Sequence, residues 1–251
     1  MPVYLQAGLW GLAAGCMLVV GAAIAWFFNV HRLVVAGVMA FGVGVLFSAL
    51  AFDLVDEAEQ SGGLPATVLA LAGGAIAYVV ANGLLDRRGA GRRKSQGDEQ
   101  KSEEDQAGSG TAIAVGALLD GVPESIVLGL SLLGGQGVTV SVLAAIAISN
   151  LPEGLSSSAG MKRNGRSARY VFGVWGGIAL ASGIAGLVGG LALDGAPPAT
   201  ISLITAIAAG AILTMIADTM IPEAFADTRL WTGLILTFGF IVAFTLSRAT
   251  S

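Results

Sequence analysis

The chain has 251 residues, of which 55% are hydrophobic and only 12% are charged, and its formal net charge is -4. Soluble domains are about 45–50% apolar and about 25% charged, so this composition excludes an ordinary soluble protein and indicates a bundle of membrane-spanning helices. The single cysteine and single histidine also exclude an intrachain disulfide framework and a Cys-rich or His-rich metal-binding tract.

Apolar segments of about 20 residues, the length that crosses a bilayer, follow one another along the chain. We predict eight of them, at 5–28, 33–55, 64–85, 111–133, 138–161, 170–193, 200–221 and 231–246. The predicted fold class is therefore an all-α polytopic membrane protein. Its predicted parts are 1–86 with the first three helices, 87–110 as a disordered cytoplasmic loop, 111–161 with two central helices, and 162–251 with the last three.

Basic residues alternate from one connection to the next, and this pattern predicts the orientation of the chain. The connections after the first, third, fifth and seventh segments contain Arg or Lys, whereas those after the second, fourth and sixth contain neither. Because basic loops stay in the cytoplasm, we expect a multi-pass protein of the cell membrane with both termini outside the cytoplasm.

The longest connection, 87–110, is basic in its first half, acidic in its second half, and rich in Gly, Ser and Gln. Such a composition buries too little apolar surface to fold, so it predicts a disordered, solvated tether. Two other roles stay open, since the basic half could contact anionic lipid and the acidic half could hold cations weakly.

A weak internal repeat links the second and seventh segments. The second ends with Asp53 and Glu57, and the seventh carries Asp218 and is followed by Glu223. The loop charges place these two acidic ends in opposite orientations, as an inverted-repeat transporter predicts. We therefore predict a 3+2+3 inverted-repeat bundle, with two unrelated acidic helix ends as the alternative.

Two Pro-Glu motifs lie near the middle of the fourth and fifth segments. They read Asp120-Gly-Val-Pro-Glu124 and Ser149-Asn150-Leu-Pro-Glu153. A carboxylate at membrane depth costs about 2.5–3.5 kcal/mol on insertion scales, so we expect it to face an interior cavity and to meet a partner such as a cation. Residues four apart share one face of a helix, so each motif presents its polar side chains together.

If the two central helices pack together, one cavity gathers carboxylate, amide and hydroxyl oxygens, which suit hard divalent cations. The predicted metal site contains Asp120, Glu124, Ser149, Asn150 and Glu153, with Asp218 as a nearby pathway acid and Asp53 in an outer acidic vestibule. Each residue also has a structural alternative. The central acids could be protonated groups that lock helix packing, Ser149 and Asn150 could be interhelical hydrogen-bonding groups, and Asp53 could end a solvated helix. Asn82 and Glu223 are weaker pathway candidates.

The motifs and the full-length arrangement of segments resemble the ZIP (Zrt/Irt-like) family of divalent metal transporters. Its fourth-segment pattern is His-Asn-x-Pro-Glu-Gly, and its fifth-segment pattern is His or Gln, then Asp or Asn, then x-Pro-Glu-Gly. The two motifs here share the Pro-Glu pair with these patterns and differ at other positions, and Gly121 lacks a ligand side chain. Glu124, Asn150 and Glu153 coincide with family metal ligands, while Asp120 and Ser149 occupy ligand positions with changed chemistry. The resemblance implies a homodimer that moves zinc, or manganese or iron, into the cytoplasm, with no catalytic residue and no cofactor.

The family's usual histidines are absent from both motifs, so we expect weaker zinc binding and less discrimination against manganese. Two other functions stay open: a non-transporting or sensor-like relative with a degenerate site, and a proton-coupled transporter of small solutes that uses the same acids. An intramembrane hydrolase is a further class, but no substrate cleft is evident, so we expect no enzyme. The expected partners are the metal ion and the lipid bilayer, without nucleic acid.

Overall fold

The computed structural model describes residues 1–90, 93–94, 100, 108–131 and 140–250, and within those ranges the chain is helical without β-strands. Residues 132–139 lie outside the described residues; they include the end of the fourth predicted segment and the start of the fifth. Most of the predicted disordered loop also lies outside them. The α-helices are α1 (Val3–Phe27), α2 (Arg32–Ala49), α3 (Val55–Gly62), α4 (Leu64–Leu85), α5 (Ser109–Ser131), α6 (Val140–Arg163), α7 (Ala168–Ala192), α8 (Pro198–Met215), α9 (Ile221–Thr228) and α10 (Thr232–Thr250).

Several helices begin at residues that suit a helix N-terminus. The side chain of His31 accepts a hydrogen bond from the backbone N–H of Leu33 at the start of α2. At the start of α7, Ser167 accepts one from the N–H of Tyr170 at 3.2 Å. Proline stands in the first turn of α4, α8 and α9, where its missing N–H needs no partner.

Six stretches of the described residues are long and apolar enough to cross a membrane: Val3–Phe27, Arg32–Gly62, Leu64–Ala90, Ser109–Leu130, Ala168–Ala192 and Pro198–Ala249. Their outer faces carry large apolar side chains, and Leu69, Ile76, Leu180 and Ile184 are each more than 60% exposed. Soluble proteins rarely expose such continuous apolar surface, whereas lipid covers it in a membrane. The chain is therefore a helical membrane protein.

The predicted count of eight crossings is not reproduced by the count of six stretches. The stretch Pro198–Ala249 is 52 residues long and includes α8, α9 and α10. Helix α6 has 24 residues and carries Asn150, Glu153 and a run of three serines, and it is not among the six stretches found in the described residues. The eight crossings and the inverted repeat remain predictions at this point.

Two five-residue π-helical turns interrupt the helices at the acidic ends that the internal repeat identified. Leu50–Leu54, which contains Asp53, lies between α2 and α3, and Ile216–Met220, which contains Asp218, lies between α8 and α9. Helices α3 and α9 are each eight residues long. Short π-helical turns inside α-helices are rare and often lie at functional sites.

The chain reverses direction between α8 and α10. Near the start of α8, the hydroxyl of Ser202 donates to the carbonyl of Ala58 at 2.6 Å. Near the end of α10, the hydroxyl of Ser247 donates to Asp53 at 2.9 Å. Both partners lie in the short segment that follows α2, so the start of α8 and the end of α10 lie at the same end of the bundle. Arg229, with a φ of 42°, stands at the turn between them.

Helices α2 and α8, which precede the two π-helical turns, run in opposite directions. The rings of Phe41 and Phe238 lie 5.9 Å apart, and those of Phe52 and Phe244 lie 5.0 Å apart, so α10 runs parallel to α2. Because α8 is antiparallel to α10, it is also antiparallel to α2.

Close backbone contacts fix α6 beside α1. A Cβ atom at Gly154 would overlap the carbonyl of Leu18, and one at Gly21 would overlap the carbonyl of Leu151. Small residues at such crossings let membrane helices approach closely, and van der Waals contact then holds them together. This crossing holds the polar half of α6, which begins just before Gly154, inside the bundle.

Candidate cation site

Three acidic side chains lie buried in the interior of the bundle, on the two central helices. Asp120 of α5 is 1% exposed, and Glu124 of α5 and Glu153 of α6 are each 3% exposed. Glu124 lies one turn from Asp120, on the same face of α5. Burying several carboxylates together is costly unless cations or protons compensate the charge. The structure thus brings together the three acids that the sequence predicted as ligands.

Two basic residues from the connection between α4 and α5 compensate these acids. The Nζ atom of Lys94 lies 2.9 Å from an oxygen of Glu153 and 3.3 Å from an oxygen of Asp120. Arg93 donates through Nη2 and Nε to the two oxygens of Asp120, at 2.7 and 2.9 Å. Paired Arg–carboxylate bonds of this kind are among the strongest in proteins. Both basic residues are only 2% exposed, so a cationic group of the chain itself lies within the carboxylate cluster.

Helix α4 contributes a row of polar side chains to the site, of which only Asn82 was predicted from the sequence. Tyr78 donates to Asp120 at 2.5 Å and accepts from Arg93 at 3.0 Å. Asn82 accepts a hydrogen bond from Arg93 at 2.8 Å, and a carboxylate oxygen of Asp86 lies 3.9 Å from Nη1 of Arg93. Tyr78, Asn82 and Asp86, the residue that directly follows α4, are spaced four apart, so they continue one face of the helix. That spacing, within an otherwise apolar segment, is the signal that would have identified Tyr78.

The backbone of the α4–α5 connection is fixed to α6 by hydrogen bonds. The hydroxyl of Ser156 donates to the carbonyl of Lys94 at 2.5 Å, and that of Ser157 donates to the carbonyl of Arg93 at 2.6 Å. The amide of Gln100 donates to the carbonyls of Arg93 and Ser157, at 2.8 and 3.0 Å. The sequence predicts a solvated tether here, whereas these three loop residues are buried, because polar partners on α5 and α6 bind them.

Glu124 differs from the other two acids, because its Oε1 atom is buried and has no hydrogen-bond partner among the described residues. It borders a small cavity of about 10 Å³, near the minimum that one water needs, together with Gly15, Ser125, Asn150 and Ser182. A buried carboxylate oxygen without a partner is unfavourable unless it binds a proton, a water or an ion. Among the three acids of the cluster, Glu124 is therefore the one with an unsatisfied buried oxygen.

The two predicted ligands that precede Glu153 on α6 make other contacts. Asn150 donates to the carbonyl of Ala14 on α1 at 3.0 Å, and its side chain also borders the cavity beside Glu124. Ser149 donates to the carbonyl of Ile146 at 2.9 Å, within its own helix. The structure therefore brings Asn150 to the cluster and turns the hydroxyl of Ser149 toward its own backbone.

Asp218 lies at a mouth that leads from the cluster to the surface. It is exposed and lines a cleft of about 40 Å³ whose other polar residues include Asn82, Asp86, Glu223 and Lys94. Glu223 is only 6% exposed. Thus Asp218 and the weaker candidates Asn82 and Glu223 border one polar cleft that reaches Lys94.

Asp53 lies apart from this cleft, against α10, where it accepts the hydrogen bond from Ser247. Apolar side chains separate its turn from the carboxylates. Val127 and Leu128, one turn beyond Glu124, belong to the same buried hydrophobic cluster as Leu50 and Leu54 on either side of Asp53. Apolar packing therefore closes the cluster of acids on the side of Asp53, whereas the side toward Asp218 is polar.

The acids do not form a ready-made metal site in this conformation. Within the part of the chain that the structure describes, no three Asp, Glu, His or Cys side chains converge closely enough to hold one ion. Lys94 lies between Asp120 and Glu153, where a shared ion would otherwise bridge them. What the cluster can do chemically is to hold positive charge with oxygen atoms inside a membrane.

Comparisons with known proteins identify no family for this chain. A scan against protein-family models finds no match to this chain, and a search of curated proteins finds no similar sequence. Membership of a family is therefore not shown, and the function has to be inferred from the geometry described above.

Proposed function

We propose that this chain is a membrane transporter that moves divalent metal cations through the carboxylate cluster of α5 and α6, in the manner of the ZIP family. The observation that carries the proposal is the burial of Asp120, Glu124 and Glu153 inside the bundle, with a cationic nitrogen held between Asp120 and Glu153. Acids inside a membrane bundle are costly for stability and usually mark a pathway for ions or protons.

The chemistry of the cluster supports a hard divalent cation as substrate. Its available ligands are carboxylate oxygens, with the amide of Asn150 at the edge and no imidazole or thiolate. Oxygen ligands suit Mn²⁺ and Mg²⁺ well and bind Zn²⁺ less selectively. We therefore propose zinc, manganese or iron as the transported metal, with less preference for zinc than a histidine-containing site would have.

The surroundings of the cluster support a transport path that opens on one side at a time. In this conformation a polar cleft with Asp218 leads to the cluster, while the side toward Asp53 is filled by apolar residues. Alternating access requires such a one-sided opening. The basic α4–α5 connection would face the cytoplasm, so the open cleft would be the cytoplasmic exit, and both chain termini would lie outside.

The two π-helical turns support the inverted repeat that we propose for this fold. Helices α2 and α8 run antiparallel, and each leads into a five-residue π-helical turn with an aspartate and then into an eight-residue helix. The stretch Pro198–Ala249 contains a chain reversal, so it would supply two crossings. With α6 included, the proposed total is eight crossings, arranged 3+2+3, in a protein that we expect to be a homodimer.

A second candidate function is a relative that no longer transports metal. It is favoured by the position of Lys94 and Arg93, which could serve as permanent counter-ions for Asp120 and Glu153. In that case the buried ion pairs would only stabilise the fold or sense metal weakly. Metal flux separates the two functions.

The test is metal uptake into proteoliposomes that contain the purified full chain, with Mn²⁺, Zn²⁺ and Fe²⁺ supplied in turn. We expect saturable flux for at least one metal, and a loss of at least about tenfold in Glu153→Gln, which removes one charged ligand without changing side-chain size. The matched control is Glu59→Gln, because Glu59 is exposed on α3. Absence of flux for every metal in a folded protein would refute transport, and equal flux in both variants would refute the assigned site.

A further inference from the structure

We propose that three described residues of the α4–α5 connection, Arg93, Lys94 and Gln100, form a tethered cationic plug, which docks on α6 and competes with the transported cation for Asp120 and Glu153. The proposal rests on the proposed function and adds its regulation. In the docked state the chain blocks its own site, and a divalent cation can bind only after the plug has left.

The first support is the position of Lys94. Its ammonium group is 2% exposed and lies within 3.3 Å of two carboxylates on two different helices. A metal ion that bridged α5 and α6 would need the same two carboxylates. Lysine and metal therefore exclude each other, since both cannot occupy the gap between Asp120 and Glu153.

The second support is charge balance. When ionised, Asp120, Glu124 and Glu153 carry three negative charges, and Arg93 and Lys94 supply two positive charges. One divalent cation supplies the same two. Exchange of the plug for the metal therefore leaves the buried net charge unchanged, at one negative charge in either state, so the exchange adds none of the uncompensated charge that membrane interiors penalise. This explains why two adjacent basic residues enter the site rather than one.

The third support is that α6 presents a docking surface suited to this segment. Ser156 and Ser157 follow Glu153 by three and four residues, so all three lie on one face of the helix. The two hydroxyls donate to the two consecutive carbonyls of Arg93 and Lys94, while Glu153 forms an ion pair with the ammonium group of Lys94. Main chain and side chain are thus recognised together, which a solvated tether would not require.

The fourth support is that the plug can leave. Its contacts with the serines and carboxylates of the site are hydrogen bonds and ion pairs, which water and ions can replace. The cleft that reaches Lys94 opens beside Asp86, whose side chain is 46% exposed, and beside Asp218. A cation that enters this cleft would meet Asp86 and Asp218 first and would then compete directly for the carboxylates behind Lys94.

Trypsin cleavage of the wild-type chain in lipid nanodiscs tests docking directly. Without metal, we expect the bond after Lys94 to be protected, while the bond after the exposed Arg163, at the end of α6, is cut and serves as the internal control. Adding Mn²⁺ should increase cleavage after Lys94 severalfold and leave cleavage after Arg163 unchanged. Equal, metal-independent cleavage at both positions would overturn the plug.

Metal affinity tests the competition. We expect Lys94→Gln to bind Mn²⁺ about tenfold more tightly than the wild type, the factor that follows if the plug occupies the site about 90% of the time. The matched control, Arg88→Gln, removes an exposed basic residue of the same connection and should not change the affinity. Free Mn²⁺ can be counted by its paramagnetic resonance signal at each protein concentration.

The outcomes separate the two proposals. If the wild type binds and transports Mn²⁺ but Lys94→Gln has the same or a weaker affinity, the plug is overturned and the transport function stands. If neither chain binds any divalent cation while both remain folded, the function is overturned and the competition with it. Protection after Lys94 that Mn²⁺ does not change would assign the loop a structural role and would also overturn the plug.

Discussion

The change Tyr78→Phe removes one buried oxygen atom and leaves the ring in place. In the wild type this hydroxyl donates to Asp120 at 2.5 Å and accepts from Arg93 at 3.0 Å, so both of its partners are charged. A hydrogen bond to a charged group contributes about 1.5–3 kcal/mol. Arg93 and Asp120 keep their own paired bonds after the change. We therefore expect the free energy of unfolding to fall by about 2–3 kcal/mol, close to a single charged bond.

The measurement is reversible unfolding in mixed micelles, followed by circular dichroism as the denaturing detergent increases. The control is Tyr170→Phe, whose hydroxyl donates to the backbone carbonyl of Gly110 at 2.5 Å. That acceptor is neutral, so the expected loss is only about 0.5–1.5 kcal/mol. If Tyr78→Phe proves no more destabilising than Tyr170→Phe, then Tyr78 does not hold the charged network, and the description of Arg93 in the site is wrong.

Three further predictions follow from single contacts. Glu124→Gln should change the free energy of unfolding by less than about 1 kcal/mol, since Oε1 has no partner to lose, yet it should weaken Mn²⁺ binding at least about tenfold in a binding titration. Ser157→Ala removes one hydrogen bond to the loop backbone, worth about 1 kcal/mol, and should speed trypsin cleavage after Lys94 about fivefold, whereas unchanged protection would mean that this bond does not hold the loop. Gly154→Ala forces a methyl group into a carbonyl of α1 and should destabilise by about 2 kcal/mol or more, whereas Gly173→Ala, which meets no neighbour within 4 Å, should be neutral in the same unfolding assay.

The membrane class and most helices could be predicted from the sequence, because hydropathy along the chain is a local property. The central acids were also predictable. Asp120, Glu124 and Glu153 lie in the middle of apolar segments, and the cost of burying them implies a shared partner. The spacing of four residues places Asp120 and Glu124 on one face of α5, and both side chains are buried there.

The partner itself could not be predicted, because it comes from a segment whose composition indicates disorder. Nothing local distinguishes Lys94 from the other basic residues of its connection, and its burial depends on carboxylates that lie 26 and 59 positions further along the chain. Composition measures whether a segment can form its own core. It does not show that buried carboxylates elsewhere in the chain need a basic side chain from this segment.

The acidic helix ends illustrate a second limit of the sequence. Asp53 and Asp218 occupy equivalent positions in the repeat that the sequence predicts, yet one lies against α10 and the other at the polar cleft. An inverted repeat would relate two helix ends that point in opposite directions. In a bundle that is open on one side only, two such ends have different neighbours. Sequence similarity between the ends therefore could not assign their separate surroundings.

The π-helical turns have a mechanical consequence. Each holds one residue more than an α-helical turn over the same rise, and that surplus can travel along the helix as hydrogen bonds exchange partners one at a time. Every side chain that it passes rotates by about 100° around the helix axis, the angle that one residue contributes in an α-helix. A surplus that moved from Ile216–Met220 into α9 would turn Glu223 toward or away from the cleft while both ends of the helix stayed anchored.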